Sequence, residues 1–170
     1  IFSLYVKNIN NMFLVLDFTR SLRLAILKKN ILIHKELKTK KNVSEILITE
    51  IEKFLKESNT SIKKLKSIYI ITGPGSFTGI RSALTFAKSI RLIVKLRISG
   101  ISKFEIINFK SNISNANKEK CIFLHFKDNQ FFTQSFKGYK AINEVRIINF
   151  GNEKFEYNSS TSYIYDNYVT

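Results

Sequence analysis

The order of apolar periods along the chain constrains its fold more than any other feature. Met12–Asp17 is a continuous apolar run of strand length that ends in an acid. Over 22–28, Leu22, Leu24 and Ile26 share one face, the alternation of a half-buried strand. Ile31–Leu37 alternates again after a Lys-Lys-Asn turn. Val43, Ile46, Leu47, Ile51, Phe54 and Leu55 then recur at helical spacing, with Ser44 in the expected N-cap region. A strand at 67–72 follows, then a glycine-rich stretch at 73–79 and a helical pattern from Ile80 to about Lys95. A strand at 97–101 and a helix near 102–110 complete the series. Such an order calls for crossover helices on a mixed sheet.

That layout predicts the α/β fold class, with residues 12–110 as a ribonuclease-H-like lobe of the actin, sugar-kinase and heat-shock-protein superfamily. The segment 111–118 is polar, lacks an apolar period and reads as a linker. After it, CIFLHF, QFFTQSF and EVRIINF read as aromatic-rich strands of a reduced second lobe over 119–170. Residues 1–11 precede the single methionine and read as an extension, with neither the basic start nor the cleavage site of a secretory signal. No stretch has the roughly 18 uninterrupted apolar residues of a membrane helix. Cys121, the lone cysteine, excludes an internal disulfide and suits a reducing compartment. The expectation is a cytoplasmic protein that does not associate with membranes.

The chemistry-bearing run is Ile71-Thr72-Gly73-Pro74-Gly75-Ser76-Phe77-Thr78-Gly79-Ile80-Arg81, entered from a strand and left by a helix. Glycines there let the backbone approach a ligand or another backbone closely. Free N–H groups at a helix N-terminus favour an anion. Two phosphate loops are excluded by spacing. Both a Walker A loop and the dinucleotide fingerprint need glycine where Thr78 stands, and no lysine follows. Phosphate binding and tight packing both remain open for this loop.

Nothing adds up to a complete active site. His34 and His125 are far apart in sequence and do not form the H-x-x-x-H pair that would put two imidazoles on one helix face. Asp17 closes the first strand, either as a remnant of a phosphate turn or as a cap on neighbouring backbone. Cys121 opens a strand and reads as core.

Binding surfaces are the other candidates. On the 80–95 helix, Ile80, Ala83, Leu84, Ala87 and Val94 make one apolar stripe, and Phe86, Ile90 and Ile93 make a second. A helix covering a sheet needs one stripe, so the second is expected either to dock a partner helix or to pack on the 43–57 helix. The net charge of +15 invites a nucleic-acid reading. Lysines are nevertheless spread along the whole chain without regular aromatic interleaving, as an AT-rich coding sequence would produce.

GPGSFTGIR (73–81) resembles the GPGSFTGLR signature of the TsaB (YeaZ) family. The resemblance extends to Ala87-Lys88, to Ser99-Gly100-Ile101-Ser102-Lys103-Phe104-Glu105, to Leu16-Asp17-Phe18-Thr19 and to Ser44-Glu45-Ile46-Leu47, and so covers about 12–110. Departures also occur. Val43 stands where the family has histidine, and Phe18 replaces a small hydroxyl residue. The family's second-lobe motif of two acids and an arginine falls on His125–Phe132, which lacks that set. The chain also ends before the family's last helices.

The resemblance implies a non-catalytic scaffold subunit of the complex that forms N6-threonylcarbamoyladenosine next to the anticodon of tRNA. Its partners would be the catalytic paralogue of the TsaD family, met through a helical bundle, and the ATPase subunit of the TsaE family. Contact with tRNA would be indirect, and a homodimer is the alternative when the chain is alone. No catalytic residue, metal or cofactor of its own is implied, with ATP or ADP confined to the complex interface. The expected phosphate or interface contacts are Asp17, Thr19, Gly73, Pro74, Gly75, Ser76, Phe77, Thr78, Gly79 and Arg81. Ile46, Glu50, Phe86, Ile90 and Ile93 are the expected partner interface. A stand-alone small-molecule phosphotransferase and a basic RNA-binding module are the alternatives.

Overall fold

A computed structural model describes residues 12–29, 31–37, 43–112, 119–149 and 162–166. The chain divides into two compact units, 1–102 and 103–170.

In the first unit, β1 (Met12–Asp17), β2 (Leu22–Lys28), β3 (Ile31–Leu37), β4 (Ser67–Ile71) and β5 (Arg97–Ile101) form one sheet in the order β3-β2-β1-β4-β5. β2 runs antiparallel to β1 and β3, while β4 is parallel to β1 and to β5. This is the ribonuclease-H-like arrangement. The two parallel steps need crossovers, which α1 (Val43–Glu57) and α2 (Phe77–Ile93) supply. β1 is apolar from Met12 to Leu16, as suits a strand between two neighbours, and Leu14 and Leu16 have no exposed surface. Leu22, Leu24 and Ile26 face the core as their alternation predicts. Edge strand β3 buries less: Ile31 and Leu32 are exposed, and only Ile33 and Leu37 lean on the core. From α1 come Leu47, Ile51, Phe54 and Leu55.

Two helix starts differ from the sequence expectation. Ser44 lies inside α1 rather than before it, and α2 begins at Phe77 instead of Ile80 because Ser76 caps it. Residues 1–11 lie outside the described residues.

The second unit begins earlier than the 111–118 segment read as a linker. α3 (Lys103–Asn112) was expected in the first lobe, yet its Phe104 and Ile107 cluster with Ile122, Leu124 and Phe136 of the second sheet. Aromatic burial decides this, since Phe104 has no exposed surface there. Residues 113–118 lie outside the described set.

The second sheet runs β10-β6-β7-β8, from β6 (Glu119–Lys127), β7 (Gln130–Lys137), β8 (Lys140–Ala141) and β10 (Ser162–Asp166). β9 (Arg146–Asn149) also pairs with β7. β10 had no sequence signal. It is parallel to β6, a pairing that depends on a distant strand rather than on a local period. Burial pushes the Lys120 ammonium on β6 below the ordinary lysine range.

Candidate functional site

The loop between β4 and α2 is built around contact with the turn after β1. Thr72 N–H donates to Ile101 O at 2.9 Å, which carries strand pairing one step past β4. Gly73 then takes φ +107°, a region side-chain-bearing residues rarely adopt. The Gly73–Pro74 peptide is cis. Ser76 N–H donates to Thr19 O at 2.7 Å and ties the middle of the loop to the β1 turn. Gly75 lies so close that an added Cβ would sit 2.5 Å from both Cβ and O of Thr19. In α2, a Cβ on Gly79 would overlap the carbonyl oxygen of Phe18. Of the two readings open for these glycines, the geometry is that of close packing: Gly75 and Gly79 approach the chain's own backbone.

The polar residues are similarly engaged. Ser76 Oγ accepts from Gly79 N–H at 3.1 Å, and Ile80 N–H donates to Ser76 O at 2.9 Å, which begins the helix. Ser76→Ala is therefore expected to cost about 1 kcal/mol of stability. Urea unfolding would measure it, and an unchanged midpoint would count against the cap. Asp17 Oδ1 accepts from the Thr19 N–H at 3.1 Å and from Thr19 Oγ1 at 2.6 Å. Its other oxygen pairs with Arg23 Nη2 at 2.8 Å. Asp17 thus stiffens its own turn, the arrangement short acids favour. The Arg81 guanidinium lies 4.2 Å from the centroid of the Phe77 ring, which is 68% exposed. Thr78 is exposed, and its carbonyl accepts from Ser82 Oγ at 2.9 Å.

The expected partner residues separate into two groups. Phe86 is buried in the first unit's core, and Ile90 packs against that core. α1 and α2 share it, so these two positions do not form a free docking stripe in this chain. Ile46 is half-buried, and Glu50 pairs with Lys53 at 3.0 Å. Ile93 alone of the second stripe is open, at 79% exposure. Sequence reasoning missed Leu92 and Ile48, which are also exposed. Leu92 lies with Leu84 on the side of α2 opposite Ala83 and Phe86, and a full helical projection would have found it.

The second-lobe segment expected to hold family residues, His125–Phe132, forms the end of β6, a turn at Asp128 and the start of β7. There His125 Nε2 contacts Asp128 O at 2.8 Å, and its ring meets Phe131 edge-on. His34 is exposed on β3, and Cys121 is buried beside Thr133 Oγ1 at 3.1 Å. Among the described residues no three His, Cys, Asp or Glu side chains gather as metal ligands. No helix among them is long and apolar enough to cross a membrane.

A family model described as "TsaD: tRNA N6-adenosine threonylcarbamoyltransferase" matches residues 30–156. Two curated relatives carry the name tRNA threonylcarbamoyladenosine biosynthesis protein TsaB. The one from Buchnera aphidicola subsp. Acyrthosiphon pisum is 28% identical over 95 residues, which is 56% of this chain and 43% of the relative. That from Buchnera aphidicola subsp. Schizaphis graminum is 32% identical over 87 residues, 51% of this chain and 41% of the relative. The chain thus matches less than half the length of each. Among solved structures, an uncharacterized protein with similarity to peptidase YeaZ from Pseudomonas aeruginosa superposes with TM-score 0.71. The match covers 91% of this chain and 74% of that one at 12% identity. YeaZ from Pseudomonas aeruginosa gives 0.67 over 88% and 72%, again at 12% identity. At such identity the likeness is one of fold.

Proposed function

The chain belongs to the TsaD family and, within it, to the TsaB (YeaZ) group; on that footing we propose that it is a non-catalytic scaffold subunit in tRNA threonylcarbamoyladenosine biosynthesis. It pairs with a catalytic paralogue of the TsaD type and holds that partner in its active arrangement. The observation that carries this reading is the outer surface of the crossover helices. Ile48 on α1 and Leu92 and Ile93 on α2 stand open to solvent, while Phe86 and Ile90 are already used inside the unit. Exposed apolar side chains on both crossover helices fit a contact with another helical surface. The state of Asp17 supports the non-catalytic part, since both its oxygens are occupied by Thr19 and Arg23. The paralogue supplies metal and nucleotide chemistry, ATP or ADP lies at the shared interface, and an ATPase subunit of the TsaE type completes the complex in the cytoplasm.

Reconstitution tests this. Co-expressed with the catalytic paralogue of the same organism, the chain is expected to co-purify with it and to raise its modification of a tRNA transcript. Alone, it is expected neither to modify tRNA nor to turn over ATP. Modification by the isolated chain would make it the transferase after which the family model is named. Failure to co-purify, with no effect on the paralogue's rate, would remove the scaffold role.

A further inference from the structure

Lysines that look dispersed in sequence are collected at one end of the first sheet. β1, β3, β4 and β5 all start at that end, and antiparallel β2 finishes there, with Met12 opposite Lys28. Crossover helices α1 and α2 run against the parallel strands, so their C-termini and the segments that follow come to the same end. The backbone links there are direct: Lys66 N–H donates to Met12 O at 2.9 Å, and Arg97 N–H donates to Lys66 O at 3.0 Å. Lys29 lies in the turn after β2, Lys63 and Lys64 in a single helical turn at Ile62–Lys64, and Lys95 between α2 and β5. Lys29, Lys63, Lys64, Lys66, Lys95 and Arg97 are all exposed, and among the described residues none is in an ion pair. Glu57, the acid that ends α1, is held by Lys35 through both oxygens at 2.9 Å. Residues 1–11, which lead into Met12, contain no Asp or Glu in their sequence.

We propose that this end of the first unit, opposite the glycine loop, is a binding face for the phosphate backbone of RNA. Complementing the two helix C-termini does not account for so many cations, because each terminus supplies only about half a negative charge. Neighbouring strands lie about 4.8 Å apart, so the ends of β2, β1, β4 and β5 make a row about 15 Å wide. Nucleic-acid charges recur every few Å, so such a row meets several phosphates at once. Side chains of this kind, exposed and unpaired with acids, bind by releasing counterions and read no bases. The choice of RNA over other polyanions rests on the proposed role in tRNA modification, and it makes the contact with tRNA direct rather than indirect.

The test is fluorescence anisotropy of a labelled tRNA transcript with the full chain between about 50 and 200 mM KCl, the range over which phosphate contacts weaken steeply. The triple variant Lys64→Ala, Lys66→Ala and Arg97→Ala is compared with Lys127→Ala, Lys137→Ala and Lys140→Ala, which removes equal charge from the second unit. Circular dichroism confirms that both keep their fold. The first triple is expected to lose about tenfold or more in affinity and to flatten the salt slope by about 2, whereas the second changes little. Equal losses in both triples would reduce the effect to net charge and overturn the proposal. So would no binding of tRNA by the parent chain, or retention by phosphatidylserine vesicles in preference to tRNA. Because tRNA binding is read on the isolated chain, it fails or holds separately from association with the paralogue.

Discussion

Replacing Gly79 by alanine is expected to destabilise the first unit by about 2–4 kcal/mol, although alanine is the better helix former. In an exposed helix interior the same change gains about 1 kcal/mol. Here the added Cβ would overlap the Phe18 carbonyl oxygen, and Phe18 is itself only 1% exposed. Neither group can yield alone, because Phe18 sits between β1 and a turn fastened by Asp17, Thr19 and Ser76. Overpacking of this kind costs about 1–3 kcal/mol, and displacing α2 from the turn adds to it. Gly75→Val should act in the same direction through its contact with Thr19, and both should exceed Ser76→Ala. Urea unfolding followed by circular dichroism decides the matter. A Gly79→Ala protein as stable as the parent would mean that α2 does not rest on the Phe18 backbone.

Glutamate at position 90 is expected to destabilise or unfold the chain, and glutamate at position 93 is expected to leave the fold intact while abolishing association with the paralogue. Ile90 packs against the core shared by α1 and α2, and a carboxylate there loses solvation without gaining a partner. The cost is several kcal/mol, a large fraction of an ordinary domain's stability. Ile93 is 79% exposed, and its neighbour Leu92 is 89% exposed, so charge at either position costs the free chain little. In a helical interface it would be desolvated, and pull-down with the paralogue should fail for Ile93→Glu and Leu92→Glu. Melting curves report the first half of the comparison, and the pull-down reports the second. A stable Ile90→Glu protein would show that α1 does not cover that stripe. Full association of both Ile93→Glu and Leu92→Glu would move the docking surface away from the end of α2.

Periodicity was a good guide wherever a strand or helix met its burial within one unit. Alternation put Leu22, Leu24 and Ile26 in the core, and helical spacing did the same for Leu47, Ile51 and Phe54. It failed for Phe86, Ile90 and Ile93, which share a stripe on paper but not an environment. Ile93 lies at the last turn of α2, beyond the core that covers Ile90. Length of contact, not helical phase, separates them. The boundary between units was misplaced for a related reason. α3 has a helical pattern, but the sheet that buries Phe104 comes later in the chain.

By itself the sequence determined the first unit's element order, the resemblance carried by residues 73–81, and the shortage of metal-ligand spacing, because these depend on residues near one another in the chain. Only the tertiary structure showed what Gly75 and Gly79 pack against. A glycine can serve a ligand or a backbone equally well, and it took the positions of Phe18 and Thr19 to show that Gly75 and Gly79 lie against the chain's own backbone. The same holds for charge. Lys29, Lys66 and Arg97 are unrelated in sequence, yet strand order brings their segments to one end of a sheet. Repulsion between like charges falls off with distance and screening, so it left no local pattern to read. Their grouping is a product of topology, which places strand ends side by side whatever their separation along the chain.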